Sequence, residues 1–562
     1  MNVRLNLRTW LHLAVATFLF SNPDLLLAQH TEVPPPAAYA LEGVRIVDAD
    51  GREREGVTIV VRGSFIEVLE PGATVPEDAL HLGGGDSLVV YPGLIDAQGK
   101  EVFEFPRPEI DRSQVLSWDP PRTAQGFQPH RRAVDFLTAT GSDLEGERQK
   151  GIVAGASYPT NGLMPGQGTL LLYRKGAKVS TELVYIPTLG PVMTLRGGMG
   201  YPSTLFGVLA FYRQTFEDVN RTTLIANEYS RDPRGLTPPP FDPDYDVIRE
   251  VLSGSVPAFV VANSAEDIRR VLDLADNHGF RPIIVGGEEA WQVADLLKAR
   301  QVPVLISLDF PEPQYWEPDA GNNGDLDPAE WREKKRLEDI YSNAARLAEA
   351  GVTFALTSGG GKADLLTGAR KVIEYGLSED AALRALTRTP AQLFGIERLI
   401  EIGRGHPATF IVSDGPLFDE DSRVVYTFVE GALERGKESS SRRRRGSSGE
   451  RGEAPALSIA GKWVVEIDSD GGSMGGDLTV EQEGSTFIGK VTGTELGEIA
   501  VEGGKIDGSE ISFQVIFHFG DQRVELDFAG EIDETRIRAR GSSPFGPVTL
   551  VARRTGGALG GE

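Results

Sequence analysis

The sequence has no cysteine among its 562 residues. It therefore cannot form disulfides, thiolate zinc sites or cysteine nucleophiles, and it offers no cysteine for a lipid anchor. Positive charge is also scarce, because 57 lysines and arginines face 82 acidic residues and leave a formal net charge of -25. Such an excess of negative charge repels nucleic acid and anionic membranes, so we expect neither as a partner.

The N-terminal apolar run is short. It extends from Trp10 to Phe20, about 11 residues, whereas a helix that crosses a bilayer needs about 20. We therefore expect no membrane span in the mature protein. The remaining composition is typical of a globular protein, with 40% hydrophobic and 25% charged residues. At roughly 150 residues per domain, the length predicts three or four domains.

The amino terminus has the features of a signal peptide. Arg4 and Arg8 precede the apolar run, and Ala28 is a small residue suited to a cleavage site. We expect residues 1–28 to be removed and the protein to be periplasmic or secreted. Leu26 occupies a position where a small residue is usual, so the cleavage site stays open. A buried amino-terminal helix is the alternative interpretation.

Apolar, β-rich runs alternate with amphipathic helices in the middle of the chain, which predicts an α/β fold with a parallel sheet or a βα barrel over residues 91–399. Strand-like runs in residues 36–90 and 400–436 predict a composite β-sandwich domain built from distant parts of the chain. The expected strands of the central region are 88–95, 151–157, 257–262, 282–286, 302–307 and 352–358.

Two central helices have start signals. Ser264 can cap a helix with Asp267 three residues later, and Asp327-Pro328 is followed by Glu330 at the capping-box position. Both helices carry apolar residues on one face, so we expect them to pack against the sheet.

The carboxy-terminal part is divided from the rest by a polar segment. Residues 437–456 contain Ser439 to Ser441 and the arginine run Arg442 to Arg445, with almost nothing apolar, which predicts a flexible linker. Docking of these arginines on an acidic surface is the alternative. Residues 457–554 contain short alternating strands and predict a small antiparallel β barrel or sandwich.

The run from Val89 to Lys100, VVYPGLIDAQGK, carries the most informative motif. It resembles the first barrel strand of the amidohydrolase superfamily, where PGLID precedes a His-x-His pair that holds a zinc-like ion. The run from Ala382 to Ile396 resembles the closing helix of that family, and the run from Ile402 to Thr409 resembles its return into the small sheet. The resemblance covers residues 40–436. Within the superfamily, this part of the sequence is most similar to the secreted imidazolonepropionase-like branch. It implies a (β/α)8 TIM-type barrel that hydrolyses non-peptide carbon–nitrogen bonds.

A further part of the resemblance lies after the first strand. The run from Gly151 to Ala156 fits the second strand of the family. It precedes Gly166-Gln167-Gly168, which we interpret as a glycine-rich turn that shapes the backbone.

The positions that hold metal in this family are occupied by other residues here. The resemblance places Gln98 and Lys100 at the first-strand histidines, Val261 at the fifth-strand histidine and Gly359 at the eighth-strand aspartate. Glutamine is a poor zinc ligand, and a charged lysine repels a cation. We therefore expect no metal or other cofactor, although the family norm is zinc or a similar divalent ion. The pocket candidates are these four positions, with the neighbours Asp96, Asn263 and Ser358.

No histidine stands at a predicted carboxyl end of a barrel strand, which makes a rescued histidine site unexpected. The seven histidines are His12, His30, His81, His130, His278, His406 and His518. His278 precedes Gly279 at a predicted helix end, which favours a capping or surface role. Without a metal the route of the family to an activated water is lost.

Carboxylates offer another route to hydrolysis. Acidic residues near the predicted barrel mouth are Asp96, Glu101, Glu104, Glu288 and Asp364. Paired carboxylates can divide the acid and base roles when their environments differ. Solvated or helix-capping carboxylates are the alternative interpretation. Lys100 is either a buried amine with a lowered pKa or, as we prefer, a salt-bridge partner for Asp96 or a nearby glutamate.

The segment from Asp319 to Glu330 partly matches a calcium-binding loop, with Asp at position 1, Asn at 5, Gly at 6 and Glu at 12. Gly321 removes the ligand at the third position, and Asp327 and Glu330 already serve a helix start. These departures favour a loop without calcium.

Two functions are consistent with the sequence. The resemblance implies an exported hydrolase of non-peptide carbon–nitrogen bonds, whose activity is weak or absent once its metal site is lost. The alternative is a pseudoenzyme that binds a small molecule or an intact amidohydrolase partner, and a homo-oligomer is compatible with both. A hydrolase requires bound metal or a new catalytic constellation, whereas a binding protein requires only a pocket.

Overall fold

A computed structural model describes residues 38–437 and 459–554, apart from 86, 107–114, 198–199, 312–327 and seven short turns between strands after residue 469. The predicted signal peptide, the linker from residue 438 onward and residues 319–327 of the calcium-loop candidate lie outside the described residues. The chain divides into two compact units, Met1–Lys437 and Glu438–Glu562.

The first unit contains sixteen described strands. In chain order they are β1 Ala38–Val47, β2 Glu53–Arg62, β3 Phe65–Pro71, β4 Ala79–Gly84, β5 Val89–Pro92, β6 Leu94–Asp96, β7 Ile152–Ser157, β8 Gln167–Leu172, β9 Val184–Thr194, β10 Ala258–Ala262, β11 Pro282–Gly286, β12 Val304–Ser307, β13 Phe354–Thr357, β14 Phe410–Ser413, β15 Val424–Val429 and β16 Ala432–Arg435.

The α-helices of this unit are α1 Arg122–Gln125, α2 Glu145–Gln149, α3 Leu205–Arg231, α4 Pro243–Leu252, α5 Ala265–His278, α6 Ala294–Arg300, α7 Pro328–Ala350, α8 Leu365–Glu374, α9 Glu379–Leu386, α10 Arg388–Phe394 and α11 Glu397–Ile400. Short 3-10 helices cover Ala133–Phe136, Ser142–Leu144, Ser180–Leu183 and Ala290–Val293. None of the helices in the described part of the chain is long and apolar enough to cross a membrane.

Distant parts of the chain form the first sheet, in the order β16-β15-β14-β5-β1-β2-β3, with β4 paired to β1. The early half of β1 lies parallel to β4, and its later half lies parallel to β5. Because one long, bulged strand serves both neighbours, hydrogen bonds join all eight strands into a single sheet. Residues 38–92 and 410–435 therefore share one hydrogen-bonded sheet, and the β-sandwich arrangement of these residues stays a prediction.

The second sheet runs β13-β12-β11-β10-β9-β8-β7-β6. Helices α5, α6 and α7 connect consecutive parallel strands from β10 to β13. This arrangement confirms an α/β fold, and β7 and β10 to β13 lie where the sequence predicted strands. Apolar side chains from many of these strands share one buried cluster, which includes Ile95, Ala154, Phe259, Val285, Leu305 and Ala355.

Strand β8 breaks the uniformly parallel order of the predicted barrel. It lies antiparallel to both β7 and β9. We predicted a turn at Gly166-Gln167-Gly168, but strand β8 already begins at Gln167. Gly168 suits this strand because the ring of Tyr158 occupies the space in which a side chain at residue 168 would lie.

Helix α5 shows why the local predictions succeeded. The Ser264 hydroxyl accepts a hydrogen bond from the backbone N–H of Asp267 at 3.1 Å, as the capping pattern predicted. The helix ends at His278, where Gly279 adopts the left-handed conformation with φ of 79°. The side chain of His278 packs against the ring of Phe216.

The second unit is a closed barrel of eight antiparallel strands. They are β17 Gly461–Ser469, β18 Gly472–Glu483, β19 Thr486–Thr494, β20 Gly497–Asp507, β21 Glu510–Phe519, β22 Gln522–Ile532, β23 Arg536–Ser543 and β24 Gly546–Arg554. Pairing of β17 with β24 closes the ring. The core contains Trp463, whose indole N–H donates to the Ile459 carbonyl at 2.9 Å, and Arg554 lies over its ring.

Candidate functional site

Asp96 ends strand β6 and is the most deeply buried of the candidate carboxylates, with 2% of its surface exposed. Its Oδ1 accepts hydrogen bonds from the backbone N–H groups of Ser358 at 3.1 Å and Gln98 at 3.2 Å. Burial raises the pKa of Asp96 to about 6, although the hydrogen bonds from Ser358 and Gln98 act in the opposite direction. The carboxylate is therefore held in place by backbone groups.

The backbone carbonyl of Gln98 contacts the residues that follow strand β13. Its carbonyl accepts hydrogen bonds from the N–H of Gly360 at 2.8 Å and from the hydroxyl of Ser358 at 3.2 Å. The Ser358 hydroxyl also accepts from the N–H of Gly361 at 2.7 Å. These bonds link the first and last strands of the second sheet, where the described residues show no strand ladder between β6 and β13.

Lys100 is exposed and does not pair with Asp96, so the preferred salt bridge is wrong for that carboxylate. The reason is that Asp96 points into the protein toward backbone N–H groups. Within the described part of the chain no ion pair includes Lys100. The pKa of Asp143 is lowered mainly by hydrogen bonds from Thr140, and the charge of Lys100 adds to this effect.

Val261 and Asn263 belong to strand β10 and the loop that follows it. Val261 packs against the apolar cluster of the second sheet. The Asn263 carbonyl accepts a hydrogen bond from the N–H of Glu289 at 2.9 Å, and the absence of a side chain at Gly286 leaves room for the Asn263 amide. Neither residue joins the hydrogen bonds around Asp96 in the described structure.

Gly359 stands where the resemblance places a metal-binding aspartate. It adopts a φ of 68°, a conformation that residues with a side chain rarely adopt. A Cβ at this position would lie 2.5 Å from Oγ of Ser307 and 2.9 Å from Cβ of Asp309. The space for an aspartate side chain is therefore filled by strand β12 and the loop after it.

The donor set does not fit a zinc-like ion. It offers a buried carboxylate that is already hydrogen-bonded, an amide, an exposed ammonium group and a valine, whereas zinc takes histidine, cysteine and carboxylate ligands. No group of three or more such ligand residues lies together among the residues that the structure describes.

None of the described histidines comes directly after a strand of the second sheet. His81 is in β4, His278 ends α5, and His518 is in β21. His130 contacts Asp244 through its Nδ1, and His406 lies 3.1 Å from Glu401. His12 and His30 lie outside the described residues.

Two of the predicted carboxylates line a cleft beside the ends of β6 and β7. The cleft has a volume of about 310 Å³, and its walls include Glu101, Glu104, Phe103, Phe105, Gln128, Arg131 and Asn161. Burial raises the pKa of Glu101. By contrast, Asp364 caps helix α8 through the N–H of Thr367 and lies 3.8 Å from Lys150, so it is a capping residue. The pKa of Glu288 is also raised, mainly by burial.

Arg131 is the cleft residue that sequence analysis missed. Its guanidinium lies 3.9 Å from the ring centre of Phe105 and 5.5 Å from that of Phe136. It donates to the Gln128 side chain at 3.0 Å and to the Pro106 carbonyl at 3.4 Å. In the sequence Arg131 is only one of two adjacent arginines, a pattern that is typical of an exposed surface.

Comparison with known proteins gives a likeness of fold. The structure matches an amidohydrolase from Thermotoga maritima MSB8 with a TM-score of 0.56 and 21% identity, covering 71% of this chain and 100% of that one. An ochratoxinase from A. niger matches with a TM-score of 0.40 and 13% identity, over 71% of this chain and 96% of that one. No protein-family model and no curated protein matches the sequence. The match to the Thermotoga maritima protein shows that the chain contains an amidohydrolase-like fold.

Proposed function

We propose that this protein is an amidohydrolase-like TIM-type barrel that has lost its metal site and binds a small molecule. The observation that carries the proposal is Gly359, where Ser307 and Asp309 fill the space of the expected aspartate ligand. The hydrogen bonds that the Ser358 hydroxyl and the Gly360 N–H donate to the Gln98 carbonyl support it, because they occupy the edge at which first-strand ligands would meet that aspartate.

The cleft beside β6 and β7 supports the binding half of the proposal. The cleft is formed by loops that follow the carboxyl ends of these strands. Barrel proteins bind their ligands on this side of the barrel. Its volume of about 310 Å³ lies within the range of small-molecule sites.

Hydrolysis without metal is a second candidate, and Glu101 is the residue that favours it. Burial raises its pKa, and a carboxyl group with a raised pKa is suited to general acid–base work. On this proposal Glu101 would be the proton-transferring group, and Glu101→Gln would abolish turnover of the family's carbon–nitrogen substrates.

Three measurements on the purified full-length protein separate these functions. Elemental analysis is expected to find no stoichiometric divalent metal, and EDTA is expected to leave the melting temperature unchanged. A hydrolysis screen over cyclic amides and acyl amino acids is expected to give no turnover. Stoichiometric zinc together with turnover that EDTA abolishes would overturn the proposal, and metal-independent turnover that Glu101→Gln removes would favour the second candidate.

We also propose that the protein is exported, on the basis of the charged and apolar pattern before Ala28. Mass determination of the mature amino terminus tests this. Recovery of the protein with residues 1–28 intact inside the cell would contradict it.

A further inference from the structure

The cleft contains charges of both signs that lack ion pairs. Glu101, Glu104 and Arg131 all line it. Within the described residues, none of the three lies in a salt bridge, although the same part of the chain forms many others, such as Arg132 with Asp135 at 2.7 Å. These unpaired charges are available to a ligand.

Arg131 is held rigidly although it has no carboxylate partner in the described structure. The rings of Phe105 and Phe136 pack against its guanidinium, and those rings lie edge to face with centres 5.1 Å apart. Hydrogen bonds to Gln128 and Pro106 fix the plane of the group. A guanidinium fixed in this way binds a carboxylate with little loss of side-chain entropy.

Glu101 and Glu104 are exposed and Arg131 is half-buried, and the pKa shifts of Arg131 and Glu101 agree with their lack of ion pairs. Burial lowers the pKa of Arg131 and raises the pKa of Glu101, and no neighbouring charge offsets either shift. Both directions disfavour the charged forms. A ligand that supplies an anion to Arg131 and a cation to the glutamates would relieve both.

We propose that this cleft binds a small amino carboxylate, with the ligand carboxylate on Arg131 and its ammonium group at Glu101 and Glu104. Phe103 and Phe105 supply apolar surface for the body of the ligand. This inference rests on the proposed binding function and names its ligand class. A volume of about 310 Å³ suits a molecule of amino-acid size.

Three related probes test the charge requirement by isothermal titration with the full-length protein. L-Phenylalanine carries both charges, N-acetyl-L-phenylalanine only the carboxylate, and L-phenylalaninamide only the ammonium. We expect L-phenylalanine to bind at least tenfold more tightly than either of the other two. Equal binding of all three probes, or no binding of any, would overturn the proposal.

Variants of Arg131 test whether it binds the carboxylate of the ligand. Arg131→Met is expected to weaken L-phenylalanine binding at least tenfold, and Arg131→Lys is expected to weaken it less, because it keeps the charge but loses the planar fork. The matched control is Arg132→Met, whose parent arginine pairs with Asp135 and is not among the cleft residues. Unchanged binding in both Arg131 variants would overturn the assignment.

The acidic side is tested in the same way. Glu101→Gln with Glu104→Gln is expected to abolish the preference for L-phenylalanine over its N-acetyl form. The control is Glu145→Gln, at an exposed residue of helix α2. Circular dichroism checks that each variant is folded. Metal content is measured on the same samples, so that bound zinc would refute the proposed function while the probe ratios judge the ligand class separately.

Discussion

The carboxylate of Asp96 accepts a 3.1 Å hydrogen bond from the backbone N–H of Ser358, a residue 262 positions later in the chain. The bond joins the end of strand β6 to the end of strand β13. The same oxygen accepts from the N–H of Gln98, so one buried side chain organises both strand ends. The role of Asp96 in this structure is therefore to hold the sheet edges together.

Replacement of Asp96 by asparagine should change how stability depends on pH. Because burial raises the pKa of Asp96 from 3.8 to about 6, the folded state favours the protonated acid. The stability that this group contributes is present below pH 3.8 and is lost as the pH rises through about 6. Asparagine keeps an acceptor oxygen but does not ionise. We expect Asp96→Asn to gain up to about 3 kcal/mol relative to wild type between pH 4 and pH 7, measured by urea unfolding.

Asp143→Asn is the control of opposite sign. Hydrogen bonds from the backbone and side chain of Thr140 lower the pKa of Asp143, so its contribution is present at neutral pH and is lost as the pH falls. We expect Asp143→Asn to destabilise most at pH 7. If the Asp96→Asn difference were the same at both pH values, the assigned titration of Asp96 would be wrong.

Gly359 should tolerate no side chain. Alanine at residue 359 would meet Ser307 and Asp309 and would also adopt a left-handed backbone, which itself costs about 1–3 kcal/mol. Gly360 has a φ of 91° but no atom within 4 Å of a Cβ, so Gly360→Ala isolates the backbone cost. We expect Gly359→Ala to lower the free energy of unfolding more than Gly360→Ala does. Equal losses would show that β12 and its loop do not occupy the aspartate space.

Local signals in the sequence were enough to place much of the fold. Strands β10 to β13 are short and mostly apolar. Such runs can be recognised in a sequence because burial on both faces requires nearly continuous hydrophobic residues. The Ser264 cap was predicted from a spacing of three residues and is confirmed by its hydrogen bond to Asp267.

The remaining features depend on contacts between distant residues. Gly168 looked like part of a turn, yet the residue that requires a glycine there is Tyr158, which directly follows strand β7. The position of Arg131 depends on the rings of Phe105 and Phe136, which lie near each other only in the folded protein. Lys100 was expected to pair with Asp96, but the sequence does not tell which way a buried carboxylate turns. Such features follow from tertiary packing and have no periodic signal.

A buried ion pair links helix α2 to the first sheet of the first unit. Arg148, in helix α2, lies 2.9 Å from Glu434 in strand β16, and their side chains are only 3% and 7% exposed. Glu434→Gln would leave the arginine buried without a full counter-charge, which costs about 3–5 kcal/mol at most such sites. Glu430→Gln is the matched control, because Glu430 pairs with Arg174 at 2.7 Å but both side chains are about a third exposed. We expect the control to cost about 1 kcal/mol or less in urea unfolding. A similar loss in both variants would contradict the role of burial.

Trp463 should carry a large share of the stability of the second unit. Its side chain is fully buried, its N–H donates to the Ile459 carbonyl, and Arg554 both covers its ring and donates to the Ala460 carbonyl at 2.7 Å. Trp463→Ala removes this packing, and we expect a loss of about 3–5 kcal/mol. The loss is measured as faster amide hydrogen exchange in residues 459–554 of the full-length protein.

The neighbouring residue provides the control for that experiment. Val464 lies on the same strand as Trp463, but 48% of its surface is exposed, so it points away from the barrel interior. We expect Val464→Ala to change the free energy by about 0.5 kcal/mol or less. Trp463→Phe should fall between the two, because it keeps most of the apolar ring but leaves the Ile459 carbonyl without its donor. If Trp463→Ala exchanged no faster than Val464→Ala, the barrel core would not depend on the packing of the indole.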